Sequence, residues 1–100
     1  MYKFGDVILA EVQYTDTFEV KKRPALVLFE EFGNIICAAI TSNIEMKGIS
    51  LTKKEGAITD SIIKLNYIFT ISEHMINRLL FKLSEEKINI VKEELIKKIT

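Results

Sequence analysis

Over its first two-thirds the chain carries its apolar residues in short, nearly unbroken runs rather than at helical spacing. Val7 to Val12 is rich in β-branched residues and lies between Gly5-Asp6 and Tyr14-Thr15-Asp16, the pattern of a strand closed by turns. Ala25 to Phe29 and Ile35 to Ile40 are two more such runs, and Gly33-Asn34 between them suits a hairpin turn. Both arms are apolar at consecutive positions, so they are expected to be central strands covered on both faces. Ile49 to Leu51, Ser61 to Leu65 and Tyr67 to Ile71 read as further short strands, with Gly48 and Gly56 at turns. Residues 14 to 22 show no strong period and read as a loop, long for a plain hairpin. Short strands at this spacing predict a small barrel or a strongly curled sheet.

The pattern changes after Ile71. Ser72 is placed to cap a short helix, with Ile71 stapling onto Ile76. Ser84 is placed to cap a longer one, with Leu83 and Ile88 as its staple and Glu85-Glu86 in the first turn, where the helix dipole favours acids. Ile88, Val91, Leu95 and Ile99 recur at helical spacing and predict one apolar stripe laid on the barrel. The expected class is therefore α+β, mainly β, with a short helix and a C-terminal amphipathic helix in one domain over residues 1–100.

Composition narrows the function classes. The 100 residues are 48% hydrophobic and 28% charged with a formal net charge of +0, which describes a globular chain without a bulk attraction to nucleic acid. Any contact with a polyanion has to come from a local patch. The single cysteine, Cys37, sits inside the run Ile35 to Ile40 and reads as buried core. No run approaches the roughly 20 apolar residues of a membrane span, and the N-terminus lacks the layout of a signal peptide. A cytoplasmic location is expected.

The residues that carry chemistry are few. Lys21-Lys22-Arg23 is the only run of three consecutive basic residues, and Pro24 follows it where loop meets strand. A proline fixes the local backbone, so the guanidinium of Arg23 is held in place, and its planar fork of donors matches two phosphate oxygens. Thr41-Ser42 ends the strand that follows. The hydroxyls suit hydrogen-bond donation, or a turn cap through Asn43; neither has an activating base nearby in sequence. If the two strands are neighbours, Arg23 and the hydroxyl pair can face one pocket that accepts a phosphodiester. Asp16 and Glu19 are candidate acid–base groups, although surface solvation is the simpler account of both. His74 reads as an exposed helix-turn residue. One histidine and one cysteine far apart do not make a metal site, and no cofactor motif is present.

These segments together resemble the MazF/PemK-type toxins, the endoribonucleases of type II toxin–antitoxin pairs. The likeness is carried by Gly5-Asp6-Val7-Ile8-Leu9-Ala10, Tyr14-Thr15-Asp16, Lys22-Arg23-Pro24-Ala25-Leu26-Val27-Leu28, Ala38-Ala39-Ile40-Thr41-Ser42, Asp60-Ser61-Ile62-Ile63 and Ile68-Phe69-Thr70-Ile71. The resemblance implies an SH3-like barrel that works as a homodimer. It implies metal-independent, sequence-specific cleavage of single-stranded RNA to a 2′,3′-cyclic phosphate and a free 5′-hydroxyl, and an antitoxin that occupies the RNA groove. By motif, Arg23 matches the catalytic arginine and Thr41 the hydroxyl beside it. Lys21, Lys22, Ser42, Tyr14, Asp16, Lys64 and Asn66 are the expected RNA contacts. Two departures stand out. The loop from Tyr14 to Lys22 lacks the family's glycines, and Lys64 and Asn66 stand where some relatives place a catalytic arginine and aspartate. Other readings are a barrel toxin that blocks a protein target such as a topoisomerase, for which relatives do not need the arginine–hydroxyl pair, and a bare interaction module.

Overall fold

A computed structural model describes residues 1–13 and 20–100. Six strands, β1 (Asp6–Val12), β2 (Lys21–Glu31), β3 (Asn34–Thr41), β4 (Ile49–Leu51), β5 (Ser61–Ser72) and β6 (Ile76–Lys82), form one sheet in the order β4-β5-β3-β2-β1-β6. Every neighbouring pair is antiparallel. Among the described residues one α-helix, α1 (Glu85–Ile99), follows. Among the described residues no helix is long and apolar enough to cross a membrane.

The unbroken apolar runs are explained by two cores, one on each face of the sheet. Val7, Leu26, Ala38, Ile40 and Ile63 belong to the core that meets Val91 of α1. Ile8, Ala25, Val27, Ile35 and Cys37 belong to the other. Consecutive residues of β1 and β2 therefore point to opposite cores, and neither face can be polar. The sheet curls. An added Cβ on Gly56, in the segment after β4, would lie 2.8 Å from the ring of Phe81 on β6, so the two edge strands approach each other through this glycine.

Helix α1 starts as its sequence predicts. The Ser84 hydroxyl accepts a hydrogen bond from the Lys87 amide at 3.2 Å, satisfying one of the free donors of the first turn. Ile88, Val91 and Leu95 pack on the first core, but Ile99 is 80% exposed, one turn past the end of the surface the helix covers. Lys87 also ties the helix to the β4 side: its Nζ donates to the Ser50 carbonyl at 2.7 Å and lies 3.2 Å from Glu55 Oε2.

Three expectations differ from the fold. The basic triplet lies in β2 rather than in a loop, because Lys21, Lys22 and Arg23 pair with Val12, Glu11 and Ala10 of β1. The cross-strand Glu11–Lys22 pair favours this. The expected helix after Ser72 is one 3₁₀ turn, Glu73–Met75, with no side-chain cap, and the chain then forms β6. Pairing to the open edge of β1 overrides the helical character of Leu79 and Leu80. The two expected strands Ser61–Leu65 and Tyr67–Ile71 are one strand, β5. Ala38 pairs with Ile68 but Ala39 with Lys64, so three residues of β5 are spare at this bulge. An odd number reverses the in–out alternation. Ile63 and Leu65 face the first core, whereas Phe69 and Ile71 face the second.

Candidate functional site

Arg23 and Thr41 meet at one end of the β2–β3 ladder. Its last pair is Ala25 with Ala39, and two residues outward along each strand are Arg23 and Thr41. Both line a cleft of about 350 Å³, together with Lys22, Ser42, Thr59 and Ser61. Its floor is apolar, made by Val7, Ile40, Leu51 and Leu80, and Phe81 closes a side. Among the described residues the lining holds two cations and four hydroxyls but no carboxylate. That composition accepts an anion.

Each group is positioned by its neighbours. Arg23 is half-buried with a buried Nε, and Pro24 beside it is half-buried too. Thr41 Oγ1 accepts a hydrogen bond from the Asn43 amide at 3.1 Å, and Asn43 Oδ1 in turn accepts from the Glu45 amide at 3.1 Å. The turn-capping role and the donor role of Thr41 are therefore compatible: with one lone pair engaged, its O–H is left to donate. Ser61 Oγ donates to the Thr59 carbonyl at 2.8 Å, which fixes the wall opposite.

The other expected RNA contacts divide. Lys22 and Ser42 line the cleft with Arg23 and Thr41, whereas Lys21 is exposed at the start of β2 and does not. Lys64 and Asn66 lie elsewhere, in a larger groove of about 710 Å³ between α1 and the β4–β5 edge. Tyr14 and Asp16, and with them Glu19, lie outside the described residues. His74 is exposed in the 3₁₀ turn. Among the described residues no three His, Cys, Asp or Glu side chains are grouped as a metal site. Cys37 is buried, and burial pushes its thiol up to about 12. Sequence reasoning missed Leu80 and Phe81 because β6 was not legible, and it missed Thr59 and Ser61 because nothing local marks a hydroxyl as cleft-lining.

With this geometry in place, comparison with known proteins gives the class. Residues 3–99 match the family described as the PemK-like, MazF-like toxin of type II toxin–antitoxin systems. The chain belongs to that family. No curated protein matches it. Among solved structures it is similar to an endoribonuclease in complex with its cognate antitoxin from mycobacterial species, with a TM-score of 0.73 at 12% identity, covering 95% of this chain and 89% of that one. At that identity the likeness supports the fold, a curled mainly β sheet with a C-terminal helix.

Proposed function

We propose that this toxin is a sequence-specific endoribonuclease that cuts single-stranded RNA, mRNA included, in the Arg23–Thr41 cleft and so inhibits growth. The observation that carries the reading is the placement of a half-buried guanidinium and an oriented hydroxyl at adjacent strand ends, in a cleft whose described lining has no carboxylate. A phosphodiester seated there is attacked by the neighbouring ribose 2′-hydroxyl. The O2′–P bond forms as the P–O5′ bond breaks, and the proton lost by the 2′-oxygen balances the one gained by the 5′-oxygen. The products are a 2′,3′-cyclic phosphate and a 5′-hydroxyl, with no water consumed. Negative charge grows on the non-bridging oxygens in the transition state. Arg23 and Thr41 are assigned to hold it. A guanidinium keeps its proton at neutral pH, so Arg23 acts as an electrostatic clamp rather than as a base. Nothing in this step requires a metal ion.

The family and the named neighbour support the same reading, and a cognate antitoxin covering the cleft belongs to it. So do a homodimeric toxin and a cytoplasmic site of action. Phe29 and Ile68, both about half exposed, offer apolar surface for a second copy.

The test is cleavage of a long single-stranded RNA by purified protein in EDTA, beside Arg23→Ala. Discrete fragments from the wild type are expected, with the variant slower by about 100-fold or more, as for the loss of an oxyanion donor. Intact RNA with folded wild-type protein overturns the reading and favours a toxin that blocks a protein target.

A further inference from the structure

Among the described residues, the groove between α1 and the β4–β5 edge is a larger cavity than the Arg23 cleft. Four lysines line it: Lys47 and Lys64 on the sheet side, Lys87 and Lys98 on the helix. Among the described residues Glu94 is the only acid in the lining, and Glu55, which pairs with Lys87, lies just beyond it. In a chain of zero net charge, this is a marked local excess of positive charge. Lys87 and Lys98 are eleven residues apart, so along the helix the charges extend over about 16 Å, more than a single bound ion would use. On the sheet side, Lys64 is held. Lys64 Nζ donates to the Lys47 carbonyl at 3.2 Å, which fixes the path of the chain entering β4. Gly48 permits that path, since a Cβ there would collide with the Ile63 carbonyl oxygen.

The same stretches of chain border the groove and the cleft. Segment 42–47 leaves the cleft at Ser42 and enters the groove at Lys47; β4 contributes Leu51 to one and Ile49 with Ser50 to the other. We infer that the lysine groove carries the phosphate backbone of the RNA strand as it leaves the Arg23–Thr41 cleft, binding it without reading its bases. This rests on the endoribonuclease reading. The lining favours a nucleic-acid backbone over an acidic protein segment. Ile63 and Leu65 are buried in the core, so among the described lining residues only Ile49 and Ile90 offer apolar contact, too little to anchor an amphipathic peptide. Its described lining also contains no aromatic side chain on which a base could stack. Lysines act on phosphates as point charges and position a strand without specifying it.

The test is fluorescence anisotropy with a labelled single-stranded DNA 20-mer, which lacks the attacking 2′-hydroxyl and stays intact, titrated over a range of salt. The proteins are the wild type, Lys47→Glu/Lys98→Glu, Lys92→Glu and Arg23→Ala, with the RNA cleavage assay in parallel. Lys92 is exposed on α1 but outside the groove. The double reversal should weaken binding by about tenfold or more at low salt and flatten the log–log salt slope by about 1.4, the expectation for two lost phosphate contacts on a single strand. Lys92→Glu should stay within about twofold. Wild-type affinity and slope in the double variant, with RNA cutting intact and Arg23-dependent, overturn the groove assignment alone. Intact RNA with wild-type protein overturns the parent reading instead. If polyglutamate displaces the 20-mer from the wild type and binds the double variant tenfold more weakly, while the 20-mer itself binds both equally, the groove belongs to an acidic protein segment and the inference fails.

Discussion

Arg23 and Thr41 stand across from each other on neighbouring strands, two residues past the last paired residues of the β2–β3 ladder. The ladder carries them to the rim of the cleft as a matched pair. A guanidinium held there can present two parallel N–H donors to one phosphate, whereas an ammonium at the same place presents a single point charge. Arg23→Lys should therefore keep substrate binding within a few-fold but lower the turnover rate by about tenfold or more. Single-turnover cleavage measured against RNA concentration separates the two quantities. Near-full turnover in the lysine variant would discard the bidentate clamp.

In the proposed site both duties of Thr41 rest on its hydroxyl, and substitution can test that. Its oxygen accepts the Asn43 amide, and its hydrogen is left for the cleft. Thr41→Ser keeps both and should cut RNA at close to the wild-type rate. Thr41→Val keeps shape but loses both, and a drop of about 10-fold to 100-fold is expected. A serine variant as slow as the valine variant would show that the methyl group, not the hydroxyl, matters.

Glu55 links the acid stability of the protein to the contact between β4 and α1. Burial pushes this carboxyl up, but the Thr52 amide, the Lys87 ammonium and the Thr52 hydroxyl together hold it below its ordinary value of 4.5. A carboxyl whose folded value is depressed contributes stability above its unfolded value and loses it as pH falls through the folded one. Glu55→Gln should lower the melting temperature near pH 7 by several degrees, for a loss of about 1 kcal/mol. The gap between the two proteins should close on acidification below 4.5. Thermal melts from pH 7 to 3 check it; a gap constant with pH would remove the ionic contribution.

Cys37 should be chemically silent in the native protein. The thiolate is the reactive form, and burial raises this thiol to about 12. Alkylation by iodoacetamide at pH 8 should be at least about a hundredfold slower in native than in denatured protein. Fast labelling of the folded chain would mean that the second core opens readily.

How much of this was legible beforehand depended on how local each signal is. Ser84 and the Ile88–Val91–Leu95 stripe predicted α1 because capping and helical period are set within a few residues. The hairpin was visible in Gly33, but its turn is centred on Phe32 and Gly33, at φ 53 and 80, between the Glu31–Asn34 pair. Positive φ at both central residues marks a type I′ turn, and a phenylalanine does not advertise it. Strand β6 was invisible because its only reason to be extended is the edge of β1, more than 60 residues earlier. Within the candidate site, Arg23-Pro24 and Thr41-Ser42 were readable as strand-end chemistry. That Lys64 and Asn66 line a different cavity was not, since only the curl of the sheet and the course of α1 decide it.

The three spare residues of β5 have a consequence for how this chain can change length. Removing or adding one residue at Leu65–Tyr67 would turn every side chain of the following half-strand over, sending Phe69 and Ile71 to the wrong face and Ile68 and Thr70 into the second core. Removing or adding two would leave the alternation intact. Gene-level insertions and deletions at this place should therefore survive in pairs of codons and be purged as singles, a parity rule written into the backbone.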